Sequence, residues 1–402
     1  MNDWKKKFAI IWSGQIFSIL SSAIVQFAIV LWISLETKSA EVLAIATIAA
    51  LLPQTLLGPV AGVYVDRWNR KWTIIGADSF VALCSAILAL LFYLNMAEVW
   101  YVYLALALRS IGSAFHSPAM QSSVPLLAPE KELTRIAAVN QTLQSICNIG
   151  GPALGAILIM SFNMSFVIML DVIGALIACI ALLFVHIPNP EKEKEEKAAG
   201  VIQEMKEGFF AIRNNHKFMW VMLVEVLVTF FVMPIVALFP LMTLVHFNGN
   251  AYQVSLIEVV YGSGMFLGGI LLGIRPPKIK KIILINGTYI IMGLCLAICG
   301  LLPANGFLYF AILNAIIGLS MPYYSSPFVA LMQMQFHPSV LGRVYSVSLS
   351  ASLIPSMIGL LSTGLLADYV GIANVFAIGG TAILIIGISS LFNRSIMTIE
   401  DK

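Results

Sequence analysis

The chain has 402 residues, of which 59% are apolar and only 11% are Asp, Glu, Lys or Arg. A soluble domain is about 45–50% apolar, so this balance excludes an ordinary soluble enzyme and points to a membrane protein. The formal net charge of +3 reports on membrane orientation rather than on a nucleic-acid surface.

A bilayer-spanning helix needs about 20 mostly apolar residues. Twelve such runs follow one another, at about 8–35, 41–64, 73–95, 99–127, 133–160, 165–187, 218–246, 252–274, 282–302, 306–335, 341–367 and 372–393. They are continuous, unlike the alternating segments of a membrane β-barrel. The first is too long for a cleaved signal and lacks a small-x-small cleavage site. The five cysteines (Cys84, Cys147, Cys179, Cys295 and Cys299) lie inside apolar runs and read as small core residues. The predicted class is all-α and integral to the membrane, with twelve transmembrane helices. An even count puts both termini on one side. All but two of the 23 Lys and Arg fall at the termini or in every second loop; the exceptions are Lys38 and Arg109. The positive-inside rule makes both termini cytoplasmic, in a multi-pass protein of the plasma membrane.

In span one, Gln15, Ser18, Ser22 and Gln26 share one helical face. Such a stripe faces protein or a water-filled cavity, as cavity lining or as interhelical glue. After span two comes GVYVDRWNRK, running from Gly62 to Lys71, with Asp66, Arg67, Arg70 and Lys71 within six residues. The bases hold that loop inside. The acid is not needed for that purpose.

Arg109 lies about ten residues into span four, roughly 14 Å deep at 1.5 Å per residue. A central charge costs about 2.5–3.5 kcal/mol on the insertion scale and is functional by default. His116 shares its face at i+7 and reads first as packing. Span five carries Gln141, Gln144, Asn148, Gly151 and Gly155 on one face, and Pro152 is expected to bend it. The glycines suit close helix packing; the amides suit a cavity or interhelical bridges.

Asp171, Glu225 and Glu258 lie in spans six, seven and eight, and Asp78 near the inner end of span three. A carboxylate in low dielectric can gain and lose a proton near neutrality, which a proton-coupled carrier requires. Arg109, Asp171, Glu225 and Glu258 are therefore the candidate proton-coupling set. The structural alternative, an ion pair or a hydrogen-bonded cap, weighs most for Glu258 and Asp78. Asp368, at the outer end of span eleven, reads as a cap or rim residue.

Residues 188–217 hold six bases and six acids and divide six spans from six. Ile202, Met205, Phe209 and Ile212 share one helical face there, so a charged linker followed by an amphipathic surface helix is expected. It either packs on the bundle or binds lipid. The expected domains are residues 1–187, the linker 188–217, and 218–402. The halves also match internally. Leu133-Thr134-Arg135 lies about as far past Phe115-His116-Ser117-Pro118 as Leu341-Gly342-Arg343 lies past Tyr324-Ser325-Ser326-Pro327, and sixteen residues past each Arg is a glycine, Gly151 and Gly359. Duplicated six-helix units are how many secondary transporters are built.

GVYVDRWNRK resembles the G-x-x-x-D-R-x-G-R-K loop of the major facilitator superfamily, with Asn69 in place of the second glycine. Asn tolerates the left-handed backbone that a glycine supplies. Gly151-Pro152-Ala153-Leu154-Gly155 is similar to the G-P-x-x-G motif of that family's drug antiporters. Arg109 resembles the buried arginine of another family motif, with the following glycine one position early at Gly112. WSGQ, RSIGSAFHSPA, EMKEGF, ALFPL with HFNG, and LGRVYS resemble the macrolide-efflux branch almost end to end. The resemblance implies two pseudo-symmetric six-helix bundles, with Asp66 meeting the start of span eleven as a gating latch. It also implies export of amphipathic, often cationic drugs in exchange for H⁺.

There is no nucleotide-binding G-x-x-x-x-G-K-[ST] and no metal pattern, so no cofactor is expected and an ion gradient is the energy source. The expected partners are a small drug, H⁺ and membrane lipid, with no nucleic acid. A separate ATP-binding partner protein stays open. The alternatives in other classes are a proton-coupled carrier of a native metabolite and a non-transporting membrane adaptor. The embedded charges are unexplained by the last.

Overall fold

The computed structural model describes residues 3–127, 133–187, 201–275 and 277–400. Every regular element among them is a helix: α1 (Asp3–Thr37), α2 (Ala40–Arg67), α3 (Arg70–Tyr93), α4 (Val99–Leu127), α5 (Leu133–Ser161), α6 (Met164–Leu183), α7 (Val201–Asn214), α8 (His216–Leu241), α9 (Ala251–Ile274), α10 (Lys281–Leu301), α11 (Phe307–Ser320), α12 (Pro322–Gln335), α13 (Pro338–Val370), α14 (Ile372–Phe392) and α15 (Arg394–Met397). Ten helical stretches among the described residues are long and apolar enough to cross a membrane. The helices α4 and α5 occupy the expected fourth and fifth spans.

Two proline effects shape the second half. Span ten is broken at Met321 into α11 and α12. Pro322 has no N–H to continue the ladder, and the Met321 N–H bonds back to the Gly318 carbonyl at 3.1 Å, a tighter turn than the α-helix. Past Pro240, span seven ends in a π-helical turn, Met242–His246. By contrast, α5 runs as one helix through Pro152.

The chain divides into two compact units. The first comprises Met1–Ile33 with Ala46–Ala198; the second comprises Ser34–Ile45 with Ala199–Lys402. In the first, α3 packs along α4 and α6; in the second, α10 packs along α14, α9 along α11, and α8 along α13. The internal sequence match has a structural counterpart within each unit. A Cβ on Gly151 of α5 would lie 2.7 Å from the Ala23 Cβ of α1. A Cβ on Gly359 of α13 would lie 2.5 Å from the Phe230 carbonyl of α8. Each glycine lets the fifth helix of its half close onto the first, as small residues do between membrane helices.

The amphipathic helix α7 packs on α13. Gly208 meets the Arg343 backbone, Glu207 pairs with the Arg343 guanidinium at 2.5 Å, and Ile212 is buried. Phe209, expected on the same face as Ile212, is exposed together with Phe210. Of the expected apolar face, Ile212 is thus buried and Phe209 is not, and the close backbone approach is made at Gly208. The side chains of Ile202 and Met205 lie outside the described residues.

Candidate functional site

The first unit holds a half-open cavity of about 460 Å³, lined from α1, α2, α3, α4 and α6. Ser18, Ser22 and Gln26 of the predicted α1 stripe line it, together with Gln54, Asp78, Arg109, Ser110, His116 and Asp171. Gln15 lies just behind and is almost fully buried. Ligand pockets generally hold about 300–1,000 Å³, so the space suits a small molecule or one end of a larger one.

Two of the four candidate coupling residues meet here. Arg109 and Asp171, 7% and 1% exposed, form a buried ion pair between α4 and α6. Ser22 donates to the Asp171 Oδ1 at 2.6 Å, Ser85 donates to its Oδ2 at 2.7 Å, and Arg109 also donates to the Ser85 hydroxyl. Helices α1, α3, α4 and α6 are thus joined through one carboxylate. A buried charge persists when it is paired and its remaining lone pairs are bonded.

About two helical turns away lies a second pair, whose meeting the sequence did not reveal. The His116 Nε2 stands 3.3 Å from the Asp78 Oδ1, and the Gln15 amide donates to the Asp78 Oδ2 at 3.4 Å. A signal was available. Asp78 and Ser85 are spaced by seven on α3, as are Arg109 and His116 on α4, and two turns return a residue to the same face. Antiparallel neighbours then match Asp78 with His116 and Ser85 with Arg109.

In the second unit, Glu225 of α8 accepts a hydrogen bond from the Tyr289 hydroxyl of α10 at 3.1 Å, with Tyr324 of α12 also in reach. Glu258 is half-buried on α9, one turn before Tyr261. No ion pair joins Glu225 or Glu258 to a base among the described residues.

The loop GVYVDRWNRK is described in part. The side chains of Gly62, Asp66 and Arg67 lie outside the described residues, and the expected latch with them. Asn69 is not left-handed: with φ −68° and ψ 109° it is the N-cap of α3, and its side chain accepts the Trp72 N–H at 3.2 Å. It replaces glycine as a helix cap. Arg70 is buried at the start of α3. Lys71 donates to the Leu183 and Val185 carbonyls at 3.1 and 3.0 Å, satisfying the end of α6. The side chains of Gln141, Gln144, Asn148 and Asp368 also lie outside the described residues. The Trp12 indole N–H of α1 donates to the side-chain Oδ1 of Asn140 and ties α1 to α5.

A family model for the Major Facilitator Superfamily matches residues 11–359. The chain belongs to the Major Facilitator Superfamily. Within that superfamily it is 41% identical over 387 residues to Macrolide efflux protein A of Streptococcus pyogenes, covering 96% of each chain. It is also 41% identical over 322 residues to Macrolide efflux protein A of Enterococcus faecalis, covering 80% of this chain and 99% of that one. Among solved structures, a mutant of the nucleoside transporter NupG aligns with a TM-score of 0.76 at 12% identity, covering 97% of this chain and 99% of that one. At that identity the likeness concerns the fold alone. The superfamily member described here is therefore a multi-pass membrane transporter, built from helices that carry polar and charged groups inward.

Proposed function

We propose that this chain exports macrolide antibiotics across the plasma membrane by alternating access, driven by H⁺ entering in exchange. The observation that carries the substrate is the 41% identity over 96% of both chains to a protein named for macrolide efflux. The geometry supports a carrier: a polar cavity lies within the first bundle, where embedded charge is costly unless it is used.

In this reading the Arg109–Asp171 pair is the fixed charge that four helices share, and it holds them in register as the cavity fills and empties. Glu225, held by tyrosine hydroxyls with no base beside it among the described residues, is a group that can take up and release a proton. In this reading both termini are cytoplasmic, which the distribution of Lys and Arg supports. A native-metabolite carrier would need recognition groups for its own substrate. Among the described residues that line the cavity, Arg109 is the one arginine and is already paired with Asp171, which leaves no spare arginine there for an anion.

The test is expression in a macrolide-susceptible bacterium. Labelled macrolide should be kept out of energised cells and should enter when an uncoupler is added. Equal accumulation with and without the chain would reject the macrolide, and exclusion untouched by the uncoupler would reject the coupling.

A further inference from the structure

The charges on the wall of the first unit's cavity do not balance. Arg109 and Asp171 cancel each other. Asp78, 6% exposed, remains, and its neighbours are the neutral amide of Gln15 and the imidazole of His116. Among the described residues, the other elements around it supply no compensating base. The α1 and α2 lining residues are amides, hydroxyls and apolar groups, and α6 adds Asp171 and, near Asp78, the Cys179 thiol. By sequence the single charge of α5 is Arg135, in its first turn. An unpaired buried carboxylate is expensive, so Asp78 either holds a proton itself or has a positive charge beside it. The Gln15 Oε1, buried and without a hydrogen-bond partner among the described residues, is a waiting acceptor next to it.

We infer that Asp78 is a cation-binding site in which the proton on His116 and an organic cation replace each other. This deepens the macrolide reading and rests on it only for the identity of the natural cation, an amine-bearing drug. With His116 protonated, the imidazolium pairs with Asp78 and the cavity is neutral. When an ammonium or other organic cation enters and pairs with Asp78, His116 gives its proton to water and becomes neutral. In this exchange one positive charge leaves the cavity for each that arrives.

The probe is tetraphenylphosphonium, a permanent cation that carries no proton of its own, so any proton released on binding comes from the protein. Full-length protein in detergent, weakly buffered near pH 6.5, is titrated with it while binding and released protons are followed together. Wild type should release up to one proton per cation bound, and its affinity should rise several-fold as the pH is raised from 5.5 to 8. His116→Gln should still bind, release no proton and lose the pH dependence. Asp78→Asn should bind about tenfold more weakly or worse. The wild-type pH trend decides the matter even where a variant folds poorly. No phosphonium binding, binding without proton release, or release that survives His116→Gln would each overturn the proposal. The macrolide resistance assay is independent: resistance with no phosphonium binding leaves the drug assignment standing and removes this site.

Discussion

Asp171→Asn tests the buried ion pair most sharply. The substitution keeps the shape of the side chain and removes its charge. Arg109 then stays buried at 7% exposure with its guanidinium facing a neutral amide. Removing one partner of a buried pair typically costs about 3–5 kcal/mol. The Ser85 hydroxyl can still accept from Arg109, and Ser22 can still reach the new amide, so the low end, about 3 kcal/mol, is expected. For a bundle of this size each kcal/mol moves the melting temperature by about 2–4 °C, giving a loss of about 6–12 °C in detergent. Removing both charges with apolar residues of similar volume is often neutral, so Arg109→Met with Asp171→Leu should recover most of that loss while transport stays impaired. The assay is a thermal shift on purified protein for wild type, both single variants and the double variant. Additive losses, with the double variant the worst of the four, would refute the pairing argument.

Four further outcomes follow from the same geometry. Glu225→Gln should leave expression and insertion intact but reduce uncoupler-sensitive drug exclusion several-fold, as read by accumulation of labelled drug. Gly359→Val should drive a side chain into the Phe230 backbone and cost about 1–3 kcal/mol, seen as a lower melting temperature. Gly208→Leu should lift α7 from the Arg343 backbone, seen as faster proteolysis between residues 188 and 217. Tags at residues 38 and 248 should be labelled from outside the cell, and tags at 69, 195, 279 and 400 should not; outside labelling at 195 would overturn the orientation.

The spans were legible because length and continuous apolarity are local properties. The twelve expected runs differ from the observed helices mainly where proline acts: the break at Pro322 and the π-helical turn after Pro240. Both prolines stand in the sequence, but whether a membrane helix breaks or carries on, as α5 does through Pro152, depends on which neighbouring groups donate to its freed carbonyls. Depth was also legible, so Arg109 and Asp171 were singled out. Partnership was not, because it depends on which faces of α4 and α6 meet. For that reason His116 reads as packing and Asp78 as an ion pair or cap with no partner named, although their common spacing of seven to Ser85 and Arg109 stands in the sequence. By its place in the motif Asn69 reads as a substitute for a left-handed glycine, whereas Trp72, three residues on, supplies the N–H that makes it a cap.

The central claim is proton-driven macrolide export, and inside-out membrane vesicles test it most directly. Vesicles carrying the chain are loaded with an acidic interior, and labelled macrolide is added outside without ATP. Accumulation that depends on the gradient, collapses with an uncoupler and is absent from vesicles lacking the chain is the expected result. No accumulation under the gradient, or accumulation that requires ATP and ignores the uncoupler, would contradict it.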